Sequence, residues 1–242
     1  MPLTLWTLKL LIRRQKGDAP AKFQAFPLEI DPNEYVLDAV ERIWAFQDRS
    51  LTFRHACHHS VCGACGMRVN GVEKLSCITR IRDITTNGAT VKVEPLRNFP
   101  VVSDLVVELG SLYVRMEHVG AKQILSLSQA PLTEDVYPAK NGSESKRLVD
   151  CIECGLCISA CPVAATDPDY LGPASLAAAQ QNGLTDAPKT VLELIDSVEG
   201  VWRCHSAYEC TAVCPSNVQP AWRIMDLRKK VVGQRIKKFF GK

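Results

Sequence analysis

Eleven cysteines limit what this 242-residue chain can become more than any other feature. An odd number cannot all pair as disulfides, and these are not scattered but fall into three spaced sets. Cys57, Cys62, Cys65 and Cys77 read C-x4-C-x2-C-x11-C within FRHACHHSVCGACGMRVNGVEKLSC. This is the plant-type [2Fe–2S] spacing, in which one tight loop supplies three thiolates and the fourth lies beyond a hairpin. Gly63 and Gly66 let such a loop wrap with its amides facing the sulfurs. A structural zinc site would use two short hooks instead. A Rieske centre would need a second histidine-bearing hook after Cys62 or Cys65, which the chain lacks. His55, His58 and His59 are therefore expected to be packing or surface residues and not cluster ligands.

The second set lies in DCIECGLCISACPVAA, where Cys151, Cys154, Cys157 and Cys161 read C-x2-C-x2-C-x3-C-P. In this bacterial-ferredoxin run the first three thiolates hold one cubane and the fourth, before Pro162, reaches a second cluster. The run needs a mate, and WRCHSAYECTAVCP supplies it with one ligand missing. On the same template the second ligand position falls on Ala207, between Cys204 and Cys210, and Cys214 precedes Pro215. Exchanging the fourth cysteines assigns Cys151, Cys154, Cys157 and Cys214 to a [4Fe–4S] cluster. Cys161, Cys204 and Cys210 remain, and a methyl group at the fourth corner suits a cubane lacking one iron, [3Fe–4S]. The alternative is a four-iron cluster whose odd iron takes His205, Ser206, Tyr208 or Glu209. All eleven cysteines are used in this assignment.

The rest of the chain divides near residue 105. Residues 3–12 and 26–30 have strand character, and Val36, Leu37, Val40, Ile43 and Trp44 recur at helical spacing. Asn70-Gly71 marks a hairpin between 66–69 and 72–75, and 89–94 alternates like a closing strand. Strand, strand, helix, hairpin and strand predict a β-grasp sheet over residues 1–105. From 106 to 242 the pattern is helical, with helices expected over 103–122, 175–181, 189–198 and 220–238 and an exposed loop at 141–146. The fold class is thus α+β: a β-grasp [2Fe–2S] ferredoxin-like domain, then an all-α bacterial-ferredoxin-like domain.

Charge and hydropathy narrow the function. The start, MPLTLWTLKLLIRR, carries its charges after its apolar residues, unlike a secretory signal, so a reducing cytoplasm is expected. No apolar run approaches the roughly 18 residues of a spanning helix. The net charge is +3, yet Arg228, Lys229, Lys230, Arg235, Lys237, Lys238 and Lys242 crowd the C-terminal tail with no acid among them. The remainder is net acidic, which argues against nucleic acid as a partner. With Val231, Val232, Ile236, Phe239 and Phe240 interleaved, the tail suits anionic lipid or a subunit beside it, or simply a solvated helix end. There is no G-x-G-x-x-G, no P-loop and no nucleophile–base constellation, so no catalytic residue is expected on this chain.

The ordered cysteine sets resemble the iron–sulfur subunits of succinate dehydrogenase and fumarate reductase, the complex II family. The run PLRNFPVVSDLVV (95–107), Gly172-Pro173-Ala174 and Cys204-His205-Ser206 also look like family segments. The resemblance spans essentially the whole chain. It implies electron transfer from the FAD of a flavoprotein subunit through [2Fe–2S], [4Fe–4S] and [3Fe–4S] to quinone at a transmembrane anchor. It implies succinate:quinone oxidoreductase, with quinol:fumarate reductase or a soluble multi-cluster ferredoxin as alternatives. It also implies a peripheral position on the cytoplasmic face of the cell membrane. By position in the family's motifs, Pro162, His205 and Ala207 are the quinone-pocket candidates. Ubiquinone-using relatives carry tryptophans after the cysteine-proline step, where this chain has Val163, Ala164, Ala165 and Thr166, which points to menaquinone.

Overall fold

The computed structural model describes residues 5–119, 151–182 and 187–240. They form two compact units, one of residues up to Leu109 together with Ile152–Ala160, the other of the remaining described residues.

The first unit is a five-stranded mixed sheet. Its strands are β1 (Trp6–Arg14), β2 (Lys22–Ile30), β3 (Gly66–Val69), β4 (Val72–Leu75) and β5 (Thr90–Glu94), and helix α1 (Val36–Phe46) follows β2. The spatial order is β2-β1-β5-β3-β4, with β1 and β5 parallel and the other neighbours antiparallel. Alternation along the strands sends Leu8, Leu10 and Ile12, then Phe26, Leu28 and Ile30, then Val91 and Val93, to one face. There they meet Val36, Ala39, Val40 and Ile43 of α1, which recur on one side of that helix. Pro27 cannot donate to a ladder and sits in β2, an edge strand. Asn70 and Gly71 take φ of 49° and 85°, the positive pair that a two-residue hairpin twisted with its strands requires. This is the expected β-grasp arrangement.

Residues 103–122 do not form one helix. Val101–Ser103 (β6) pairs antiparallel with Val106–Val107 (β7), and helix α2 runs only over Gly110–His118. The reason lies at Asp104, which turns at φ 47° and is 2% exposed. Its carboxylate accepts the Gln15 N–H at 3.1 Å and the Thr52 N–H at 3.0 Å and pairs with Arg14 Nε at 3.0 Å. Tertiary partners therefore override the local helical preference. The loop expected at 141–146 lies outside the described residues.

Arg14 also pairs with Asp48 at 2.6 Å. The Ser50 hydroxyl, and then Arg14, hold the Asp48 carboxyl well below the usual carboxylate range. Because the folded value is depressed, the stability it contributes is present above about pH 4 and lost as the pH falls further. Replacing Asp104 by alanine leaves the buried Arg14 charge half-compensated and two amides unpaired. Urea unfolding is expected to show a loss of about 3–5 kcal/mol.

Helix α3 (Leu156–Ala160) completes this unit. Ser159 is fully buried; its hydroxyl donates to Glu73 Oε1 at 2.9 Å and accepts the Arg97 N–H at 2.8 Å. Asn98 donates to the Ile158 carbonyl at 2.7 Å.

The second unit's described residues hold helices and no strand: α2, α4 (Gly172–Asn182), α5 (Lys189–Ile195), α6 (Glu209–Ala212) and α7 (Pro220–Phe240). Helix α4 is small-sided and buried almost all round, and it packs closely on α7, whose Ile224 and Leu227 are buried. Buried Arg223 of α7 donates to the Val218 carbonyl at 2.8 Å and to Gln180 Oε1 at 2.9 Å. Farther along α7, Val231 is buried, whereas Val232, Ile236, Phe239 and Phe240 are exposed. No described helix is long and apolar enough to cross a membrane.

Candidate metal centres

All eleven cysteines are free thiols. In the first unit the loop between α1 and β3 carries Cys57, Cys62 and Cys65, and Cys77 follows β4 in a tight turn, Ser76–Ile78. The hairpin places the fourth cysteine beside the loop: Ser76 donates through both N–H and hydroxyl to the Cys65 carbonyl, at 3.2 and 3.0 Å. Cys57 Sγ accepts the Val61 and Cys62 amides, each at 3.3 Å. Backbone N–H groups of His59, Cys62 and Val61 bring the Cys57 thiol down to about 6, because they favour the thiolate. Burial pushes Cys77 up to about 12, reinforced by the sulfurs of Cys65 and Cys57 beside it. The loop takes positive φ at His58, Ser60 and Gly63, the geometry that turns successive amides inward. At Gly63 a side chain is also excluded by space, since a Cβ would lie 2.7 Å from the Ile152 carbonyl oxygen and 2.9 Å from Cys154 Cβ.

In the second unit Cys161, Cys204 and Cys210 line one cavity. Burial pushes Cys210 up to about 12, and the nearby sulfurs of Cys161 and Cys204 add to the effect. Ala207 lines the same cavity, as do Pro162, Val163, Tyr170 and His205. Local backbone aims this set: Ser206 and Tyr208 take φ of 58° and 64°, and the Ser206 N–H points at Cys204 Sγ at 3.4 Å. Arg228 of α7 donates to the Cys204 and Val201 carbonyls, fastening the segment to the long helix. Pro162, His205 and Ala207, the three quinone candidates, line this cavity and are each exposed.

The four cysteines expected to hold [4Fe–4S] do not all fall in one unit. Cys154 and Cys157 belong to the first unit, and Cys151 and Cys214 to the second. Cys214 Sγ accepts the Val218 N–H at 3.3 Å.

These residues fit iron–sulfur clusters on chemical grounds. Thiols crowded into one nest with amides directed at sulfur are a poor disulfide framework and a good thiolate cage. Sequence reasoning missed one contributor, Tyr170. It is fully buried, its hydroxyl makes no hydrogen bond of normal geometry among the described residues, and burial, followed by the sulfurs of Cys204, Cys161 and Cys210, makes the phenol a weaker acid. Its hydroxyl is thus a buried donor beside the sulfurs of Cys204, Cys161 and Cys210. Its only linear signal was its place just before Gly172-Pro173-Ala174.

Comparison with known proteins finds two cluster-binding domains. A 2Fe-2S iron-sulfur cluster binding domain matches residues 9–113, and a 4Fe-4S dicluster domain matches residues 147–218. The chain is 35% identical to a fumarate reductase iron-sulfur subunit of Mycobacterium tuberculosis over 93% of its own length and 92% of the relative's. It is 28% identical to a succinate dehydrogenase iron-sulfur subunit of Coxiella burnetii, over 93% and 97% respectively. A chain of the Mycobacterium smegmatis Sdh1 complex in the apo form shares the fold, with a TM-score of 0.77 at 24% identity over 96% of this chain and 98% of that one. With the cysteine nests, the two matched cluster domains and the full-length relatives together, the chain belongs to the family of fumarate reductase and succinate dehydrogenase iron–sulfur subunits.

Proposed function

We propose that this chain is the electron-transfer subunit of a succinate:quinone oxidoreductase. In this reading it accepts electrons from the FAD of a flavoprotein subunit and delivers them to quinone beside a transmembrane anchor, at the cytoplasmic face of the cell membrane. The observation that carries it is the cavity in which Cys161, Cys204 and Cys210 meet around Ala207, with His205 and Pro162 at its exposed side. Three sulfurs and a methyl group support a [3Fe–4S] ligand set, and an exposed rim is where a quinone ring has access.

When bound, the clusters supply one-electron steps, while succinate and quinone each exchange two. The chain's own residues do the rest. Cys57, Cys62, Cys65 and Cys77 hold [2Fe–2S], with inward amides favouring thiolate; Cys151, Cys154, Cys157 and Cys214 hold [4Fe–4S]; Cys161, Cys204 and Cys210 hold [3Fe–4S]. Tyr170, buried beside these sulfurs, would offer its hydroxyl proton to the cluster they hold. His205 orients the quinone carbonyl and exchanges its proton. Val163, buried in the lining where a tryptophan would narrow the pocket, favours menaquinone. Along the sequence the cluster-binding segments divide as residues 1–105 and 106–242, although Ile152–Ala160 packs with the first compact unit.

The test is electron paramagnetic resonance of the purified complex with turnover in both directions. The expected result is a three-iron signal in the oxidised protein, new signals on reduction with succinate, and quinone reduction. No three-iron signal would overturn the ligand assignment. A second reading, quinol:fumarate reductase, is favoured by the names of several relatives at 32–35% identity. Faster turnover with quinol and fumarate would establish it.

A further inference from the structure

One polar cluster in the first unit, apart from the sulfur ligands, has contacts that hydrogen bonding does not account for. Glu41 stands on α1; His55 and His58 stand on the loop that carries the first cysteines. His55 Nδ1 is 3.0 Å from Glu41 Oε1, and His58 Nε2 is 3.3 Å from the same oxygen. The two ring nitrogens are 3.0 Å apart. These atoms form a nearly equilateral triangle. Each imidazole nitrogen directs one in-plane proton or one in-plane lone pair, so two of them cannot make hydrogen bonds along all three edges. The oxygen is the atom left over: Glu41 Oε1 is buried and accepts no hydrogen bond of normal geometry among the described residues.

A single cation would satisfy all three. Zinc binds imidazole nitrogen and carboxylate oxygen at about 2.0–2.1 Å, which separates neighbouring ligands of a tetrahedral site by about 3.3–3.4 Å. The observed edges are that length or slightly shorter, as three donors drawn together without their ion would be. The surroundings hold the donors in place. The two rings meet edge-on at 88°, His55 stacks on Phe53 at 5.2 Å, and Phe53 packs against Trp44 of α1. His58 is set by a left-handed backbone, φ 60°. The histidine side chains are 41% and 43% exposed, which leaves entry for an ion and room for water as a fourth ligand.

We infer that Glu41, His55 and His58 form a binding site for a divalent transition-metal ion of the zinc class. Two imidazoles and one carboxylate select such ions over magnesium or calcium, which prefer all-oxygen shells. The ion ties the cysteine loop to α1. His58 follows Cys57 directly, so the ion also adds positive charge beside the [2Fe–2S] ligands, which favours the reduced cluster and raises its midpoint potential.

The experiment uses the purified complex with its clusters intact, washed with a mild chelator and titrated anaerobically with zinc chloride. One zinc per chain is expected, with an X-ray absorption edge showing nitrogen and oxygen neighbours including imidazole, and no sulfur. Bound zinc should raise the [2Fe–2S] midpoint potential. H55A, H58A and E41Q should each weaken binding by more than about tenfold at unchanged iron content. Absence of stoichiometric zinc, a potential unmoved by bound zinc, or wild-type affinity in the H55A/H58A double variant would overturn the site. Sulfur in the zinc shell would overturn it too, by placing the ion on cysteines. The edge spectrum needs no substitution, so it decides the matter even if a variant fails to assemble.

Discussion

Replacing Ala207 by cysteine will remove the three-iron signal from the oxidised complex and produce a four-iron signal on reduction. The change adds one sulfur to a cavity already lined by three, at the residue that the proposed ligand set leaves with only a methyl group. A fourth thiolate gives the odd iron a ligand, and the extra negative charge lowers the potential of that centre. Each 59 mV of lowering reduces electron occupancy there about tenfold at equilibrium. Quinone reduction is therefore expected to fall by about tenfold or more, while succinate still reduces the [2Fe–2S] centre. Redox titration followed by electron paramagnetic resonance checks both statements. An undiminished three-iron signal would show that Ala207 is not the open corner.

The second large effect is expected from Gly63→Ala. Its φ of 71° costs an alanine about 1–3 kcal/mol by itself. The methyl group would also stand 2.7 Å from the Ile152 oxygen, so the cysteine loop must move away from residues it now touches. Gly88 provides the control: its φ is 82°, but nothing lies within 4 Å of where its Cβ would be. Gly88→Ala should lose only the backbone cost. Gly63→Ala should lose several degrees more in melting temperature, together with most of the [2Fe–2S] signal. Equal effects in the two variants would mean that loop packing is not what Gly63 protects.

Much of this was legible in the linear chain because its signals are short-range. Asn70-Gly71 prescribes positive φ at adjacent positions, and the hairpin follows with the register it implies. Cysteine spacing works in the same way, since a tight loop presents its thiolates over a few residues. What could not be read depends on distant partners. The apolar run after Ser103 suggests helix, yet Asp104 is claimed by Arg14, Gln15 and Thr52, and a strand pair forms instead. Histidines near Cys57 carry no linear hint of Glu41, which the packing of α1 brings to them. Tyr170 matters only because burial leaves its hydroxyl facing sulfur.

The return of Ile152–Ala160 to the first unit has a consequence for biosynthesis. As the chain leaves the ribosome, the sheet can close once β5 has emerged, but buried Glu73 still lacks the Ser159 hydroxyl and Gly66 still lacks its neighbours Cys154 and Leu156. Those partners are made only after α2 and the residues that follow it. The N-terminal unit is therefore finished from the far side of a long detour, and a chain cut after Leu109 would be a sheet with its last wall missing. Packing around the first cysteine loop is therefore completed only once residues 152–160 have been made.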